Sequence, residues 1–329
     1  MAAPGFWNDP ESAQKTVTEL KSLRRVTEPY RELEREVKDA EGLIALVEQE
    51  PDESLADELE RQSKELLPRI QELEVQSLLS EESDEHGAIL TIHPGAGGTE
   101  SQDWAEMLFR MYTRFLERRG FPSQVLDLQP GEEAGIKDAT VEVDAPFAYG
   151  YLKAERGVHR LVRISPYDAN HRRHTSFASV FVYPLAGDGN GDLAIPESDL
   201  RIDTFRASGA GGQHVNKTES AIRITHIPTG IVVTCQNERS QHRNRDSAMK
   251  ILKARLYSLR IEEDRKKQET LTGGKKDIAW GSQIRSYVFH PYTLVKDHRT
   301  DLEIRDVQRV MDGDLDPFID AYLRRKETK

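Results

Sequence analysis

The sequence predicts an α+β chain of several domains, a helical first domain followed by three α+β stretches. Length is the first reason, since 329 residues exceed what one hydrophobic core usually organises. The second is a change of texture near residue 87, where three- and four-residue apolar spacing gives way to short β-branched runs. The third is charge segregation. Residues 1–86 hold 10 Lys and Arg against 23 Asp and Glu, whereas residues 87–329 hold 36 against 34. A net charge of -11 therefore describes an acidic arm joined to a near-neutral body.

In residues 1–86, Leu20, Leu23, Leu43, Leu46, Val47, Leu66, Ile70 and Leu73 recur at helical spacing among charged residues. Pro51 and Pro68 are expected to interrupt the pattern, with residues 51–53 as a turn or helix start. An acidic helical bundle or hairpin follows. Residues 87–198 open with a strand at 88–92 and a turn through Gly95, Gly97 and Gly98. Thr99 can cap the next helix, whose apolar positions include Trp104, Met107, Leu108, Met111 and Phe115. Short strands are expected at 125–126, 141–143, 161–164 and 180–183, with a boundary loop at 187–192.

Residues 199–270 carry strands at 202–205, 221–225 and 231–235, then a long basic helix over 246–268. Within 201–267, 14 basic residues face 7 acidic ones, so the positive zone sits where the whole-chain charge conceals it. Gly273 and Gly274 break the helix, and a last α+β stretch fills 271–329. No run approaches the ~18 apolar residues of a membrane span, and residues 1–10 lack a secretory signal. A single cysteine, Cys235, excludes an internal disulfide and a cysteine-rich metal site. The expected location is the cytosol, with no membrane partner.

Four stretches carry chemistry. In 206–218 a loop tip from Ser208 to Gly212 has almost no side chains, so its backbone can approach another surface closely. One amide side chain, Gln213, follows at once. A phosphate-binding P-loop is excluded because Asn216 stands where that motif needs glycine. The second stretch joins Ser165, Pro166 and Tyr167 to Arg172, Arg173, His174, Thr175 and Phe177. Residues 150–175 hold six basic side chains against two acidic ones, with aromatics interleaved, as in readers of single-stranded RNA. His171 and His174 are not a metal pair, because the arginines between them would repel a cation. The third is Gly97, Gly98, Thr99 and Glu100 at a helix start, where exposed N–H groups favour oxygen acceptors. The fourth runs from Gly273 to Ser282 and includes Trp280.

The loop around Gly211, Gly212 and Gln213, followed by residues 236–241, resembles the peptide-release domain of bacterial class-one peptide chain release factors. The resemblance extends from about Phe6 to the C-terminus. It implies four domains: helical (1–86), codon-recognition (87–198), peptide-release (199–270), and a switch loop with a C-terminal segment (271–329) packing with the codon-recognition domain. It implies recognition of UGA and UAA and hydrolysis of peptidyl-tRNA on the ribosome. Ser165 would bond the second codon base, His174 would separate second from third, and Thr175 would bond the third. Gly97 and Glu100 would check the first base, and Trp280 would stack on ribosomal RNA in a switch loop.

Gln213 would place the attacking water and supply a backbone N–H to the oxyanion. Glutamine is no general base near neutral pH, so the chain would be a co-catalyst within the peptidyl-transferase centre and not a stand-alone enzyme. The same resemblance implies N5-methylation of Gln213 by a glutamine methyltransferase and work alongside a class-two release factor GTPase. The implied partners are both ribosomal subunits with their RNA, the stop codon and the P-site peptidyl-tRNA; no cofactor or metal is implied. Tyr167 departs from the family's usual phenylalanine. Relatives generally have more residues ahead of Phe6, and the chain is read as starting downstream of a frameshift site.

Only 46 positions separate Ser165 from Gly211, at most ~150 Å of extended chain at ~3.3 Å per residue. The release loop would therefore reach its target only by swinging away from the codon-reading body, and a compact fold would be a waiting form. Two other readings compete: a ribosome-rescue peptidyl-tRNA hydrolase without codon specificity, against which residues 165–175 argue, and a plain RNA-binding module with an inert loop.

Overall fold

The computed structural model describes residues 9–49, 53–185, 195–206, 220–238, 240–271 and 283–327. They fall into two units, divided between Leu78 and Leu79.

The first unit is built from α1 (Pro10–Gln49) and α2 (Glu53–Ser77). Leu33 and Ala40 of α1 pack with Leu66, flanked by Leu59 and Leu73, and Arg69 of α2 reaches Glu36. Pro68 does not interrupt its helix as expected, and Pro29 lies inside α1. Each proline removes one backbone bond, at ~3 kcal/mol or more. The helices persist because packing of their apolar stripe, rather than intrinsic propensity, holds long helices together.

The second unit is organised by an eight-stranded sheet in the order β11-β10-β9-β4-β5-β1-β3-β2. The strands are β1 (Ala88–Pro94), β2 (Ser123–Pro130), β3 (Ile136–Val143), β4 (Gly157–Ile164), β5 (Arg173–Pro184), β9 (Gln283–Val288), β10 (Leu294–Asp297) and β11 (Glu303–Ile304). All neighbours are antiparallel except β4 and β9. The C-terminal strands thus complete the sheet begun by residues 88–184. Helix α3 (Thr99–Arg119) lies on one face, with Trp104, Leu108, Met111 and Phe115 buried. The Trp104 indole N–H donates to the His159 carbonyl at 3.0 Å.

Between β4 and the C-terminal strands lies a buried charge cluster. Arg285, wholly buried, donates to both Glu155 oxygens at 2.7 and 2.6 Å and to Asp297 at 3.2 Å. Burial opposes ionisation of Glu155, but the guanidinium outweighs it and holds the carboxyl below its usual value. Burial also drives the neighbouring His159 down to about 4, so its ring is neutral.

A second, smaller sheet has the order β6-β7-β8: β6 (Leu200–Phe205), β7 (Ala221–His226) and β8 (Val232–Cys235). It is covered by α4 (Gln241–Leu271), through Ile222, Ile224 and Val233 against Ala248, Ile251 and Leu252. The helix starts five residues before the expected Asp246, because buried Asn244 seals its first turn. That amide donates to the carbonyls of Ser220 and Glu238 at 2.8 Å and accepts the Glu238 N–H.

This lobe sits against the large sheet on the face away from α3. Ile89 and Leu126 join its core. Lys250 pairs with Glu142 at 3.0 Å, and Asp127 accepts the Gln236 N–H at 3.3 Å. Cys235 is buried here, and burial pushes its thiol up to about 11, leaving it protonated and inert. No helix of the described residues is long and apolar enough to cross a membrane.

Candidate nucleic-acid interface

Ser165 follows the last residue of β4, and Arg173 begins β5, so residues 165–172 connect two paired strands. Asp168 organises that connection. Its carboxylate accepts the backbone N–H groups of Asn170 and Arg172, the Arg172 guanidinium at 2.7 Å and the His174 ring at 3.0 Å. Hydrogen bonds from Arg172, then His174, hold the Asp168 carboxyl well below the ordinary range. His171 takes a left-handed backbone, φ 49°, to close the turn.

Ser165 is buried, and its hydroxyl donates to Glu100 at the start of α3. The same oxygen accepts the Tyr167 N–H at 3.1 Å. Glu100 is held by the Arg163 guanidinium at 2.7 Å, and Arg163 also pairs with Asp103. Asp103 in turn accepts the Tyr167 phenol at 3.0 Å. The hydroxyl that distinguishes Tyr167 from phenylalanine therefore ties the connection to α3. Pro166, between Ser165 and Tyr167, is exposed.

Thr99 is the first helical residue, not the cap expected; Gly98 occupies that place with φ 62° and no side-chain bond. A threonine is strained in that left-handed backbone, and the Thr99 hydroxyl instead donates to Glu133 at 2.8 Å. Gly97 is exposed, and a Cβ there would come within 2.2 Å of the Ser101 hydroxyl. Gly97 and Glu100 thus flank the same helix start that holds Ser165.

Strand alternation separates the remaining two residues. His174 lies opposite Arg163, on the face of α3, while Thr175 lies opposite Val162, on the other face. Adjacent in sequence, they serve opposite sides of one strand at its exposed end. Ser165, Tyr167, His174, Gly97 and Glu100 come together, and Thr175 is divided from them by the sheet itself. Arg163, Asp103 and Asp168 were not singled out from sequence. Glu100 and Asp103 stand three apart on one helix face, which is the signal that could have found Asp103.

Gly211, Gly212, Gln213, Trp280 and the boundary loop 187–192 lie outside the described residues. Phe205 pairs with Ala221, so the two ends of the segment carrying Gly211, Gly212 and Gln213 are anchored side by side on β6 and β7.

Two family models match, a PCRF domain over residues 1–180 and an RF-1 domain over 189–299. The chain is 55% identical to peptide chain release factor 2 of Thermomicrobium roseum, over 99% of this chain and 86% of that one. It is 53% identical to the protein of the same name from Listeria innocua, over 99% and 89%. Among solved structures it is similar to one described as RF2 of Thermus thermophilus, with a TM-score of 0.76 and 52% identity, covering 99% of this chain and 91% of that one.

Proposed function

Because the chain belongs to the peptide chain release factor family, we infer that it ends translation, recognising UGA and UAA on the ribosome and promoting hydrolysis of peptidyl-tRNA. The observation that carries the codon reading is the placement of His174 and Thr175 on opposite faces of β5, beside the Ser165–Glu100 pair.

A second base that is adenine presents an N6 amino donor, and guanine presents an O6 acceptor. The Ser165 hydroxyl serves both: it accepts from adenine while Glu100 holds its proton, or turns that proton toward guanine. His174, oriented by Asp168, stacks at this side of the strand. Thr175 meets the third base on the other side, so the two positions are read independently, and UGG, like UAG, is refused at its third base. Gly97 and the helix start beside Glu100 are suited to a first-base uracil, whose carbonyl oxygens accept from exposed N–H groups.

Gln213 is the residue assigned to the chemistry. It follows two glycines, so the loop can enter a crowded RNA centre, place a water and offer a backbone N–H to the developing oxyanion. Trp280 is assigned to a switch loop that stacks on ribosomal RNA. The domain roles follow: 1–86 helical, 87–198 codon-reading, 199–270 peptide-releasing, 271–329 switch and closure. The packing of the β6–β8 lobe on the large sheet is the waiting form, which must part before Gln213 reaches the peptidyl-tRNA. A class-two release factor GTPase and a methyltransferase acting on Gln213 complete the cytoplasmic partners.

Peptide release from ribosomes programmed with UAA, UGA, UAG and UGG tests the reading. Release on the first two with poor release on the others is expected. Codon-independent release would instead favour a ribosome-rescue hydrolase.

A further inference from the structure

A cleft of about 270 Å³ opens on the sheet face away from α3, between β4, β5, β9 and β10. Arg160, Arg173, Lys296 and His298 line it, with Thr175 and Tyr292 alongside, and none of the described residues that form its walls is acidic. Strand register explains the convergence. Lys296 pairs with Ser286, and Ser286 pairs with Arg160, which puts the Cα atoms of two cationic residues on one row about 10 Å apart at ~4.8 Å per strand. On the next row of β4 and β5, Val162 stands opposite Thr175.

The two arginines of β4 differ in a telling way. Arg163, on the α3 face, is neutralised by two carboxylates. Arg160, facing the cleft, has a buried Nε–H with no hydrogen-bond partner. A buried donor without an acceptor is costly and marks a place where a ligand can supply one. Lys296 is shared with Glu303 at 2.9 Å and Asp301 at 3.7 Å, which steady it from outside the cleft without closing it. Tyr292 is well exposed and offers an aromatic face. The volume falls near the ~300 Å³ lower bound for ligand sites, which suits a phosphate with its sugar.

We propose that this cleft is a second RNA subsite, which takes one phosphate and ribose of single-stranded RNA next to the nucleotide met by Thr175. Arg160, Arg173 and Lys296 bind the phosphate oxygens, and Tyr292 packs on the sugar or its base. The subsite adds affinity without sequence choice, because phosphate contacts carry no base information. Its position rests on Thr175 being a codon contact; its charge and its unpaired donor do not. The phosphate comes from the message beyond the stop codon or from ribosomal RNA.

The test measures the factor concentration for half-maximal release as a function of salt, for wild type, Arg160→Ala and Lys296→Ala. Messages ending at the third codon base are compared with messages extended beyond it. Each variant is expected to need roughly tenfold more factor, equally on UAA and UGA, with the salt slope reduced by about 0.7–1. Loss confined to extended messages identifies the message phosphate, and loss on both lengths identifies ribosomal RNA. Lys296 is at the surface, so its variant keeps the test valid should Arg160→Ala fold poorly. Unchanged half-maximal concentration and salt slope in the folded variants would overturn the subsite. So would an altered ratio between codons at an unchanged slope, which would assign these residues to codon reading. A wild type without codon preference would sink the Thr175 role yet leave the salt slopes interpretable.

Discussion

The Ser165 hydroxyl donates to a Glu100 carboxylate that is simultaneously held by Arg163. Both side chains are buried, so the hydroxyl is oriented before any codon arrives. Glu100→Ala removes the acceptor and leaves Asp103 as the carboxylate on Arg163. Release on both UAA and UGA should lose ~1–3 kcal/mol of transition-state stabilisation, the scale of one base contact. Single-turnover release kinetics check this; wild-type rates in the variant would show that Glu100 has no part in reading.

Tyr167→Phe deletes one hydrogen bond, to Asp103, at a half-exposed ring. Stability should fall by no more than ~1 kcal/mol, and the order of preference among codons should stay as in wild type. Urea unfolding and release assays on the same preparation measure both. A changed codon preference would mean that the phenol itself meets the message.

Asp127 sits where the small lobe meets the large sheet, accepting the Gln236 N–H across the junction. Burial pushes its carboxyl from 3.8 up to about 6. The packed form therefore binds this proton more tightly than the unfolded or parted form. Its contribution is full below pH ~4 and is lost as pH rises through about 6. Asp127→Asn keeps an acceptor for Gln236 without the charge. Its melting temperature should exceed wild type at pH 7.5 and converge with it toward pH 4.5. A variant equally less stable at both values would refute the charged-state argument.

The Glu155–Arg285–Asp297 cluster joins β9 and β10 to the residues ahead of β4. Arg285→Ala leaves buried Glu155 without its guanidinium, while Asp297 keeps Arg299 at 2.8 Å, and should cost ~3–5 kcal/mol. Combining Arg285→Met with Glu155→Gln should recover part of the loss, as a buried pair replaced whole is often near neutral. Denaturant titration of the single and double variants decides it.

That cluster also shows where sequence reading stops. The strands of residues 88–92, 161–164 and 180–183 announce themselves by β-branched runs, and the parity of His174 and Thr175 follows once β5 is drawn. Glu155 and Arg285 are 130 positions apart, and nothing local marks either as buried. Asp103 and Tyr167 likewise meet only because α3 lies across the end of β4. Pro68 stays inside its helix because packing overrides the local rule about backbone bonds.

Codon choice is the sharpest test of the site. In the proposed reading Ser165 accepts A or G at the second position, whereas a third-position G finds no satisfactory partner at Thr175, on the far face of β5. Release on UAG should therefore be poor in wild type, by at least ~1–3 kcal/mol relative to UAA. Replacing Ser165, Pro166 and Tyr167 with a proline-first tripeptide removes the hydroxyl that donates to Glu100 and frees the Asp103 carboxylate of the phenol. Acceptance should move toward UAG, but incompletely, because His174 keeps its bond to Asp168 and Thr175 is untouched across the strand. Release rates on UAA, UAG, UGA and UGG complexes for wild type and the exchanged loop measure the shift. Equal wild-type release on UAG and UGA would overturn the codon assignment while leaving peptide release standing, since the proposal assigns that step to Gln213 and not to β5.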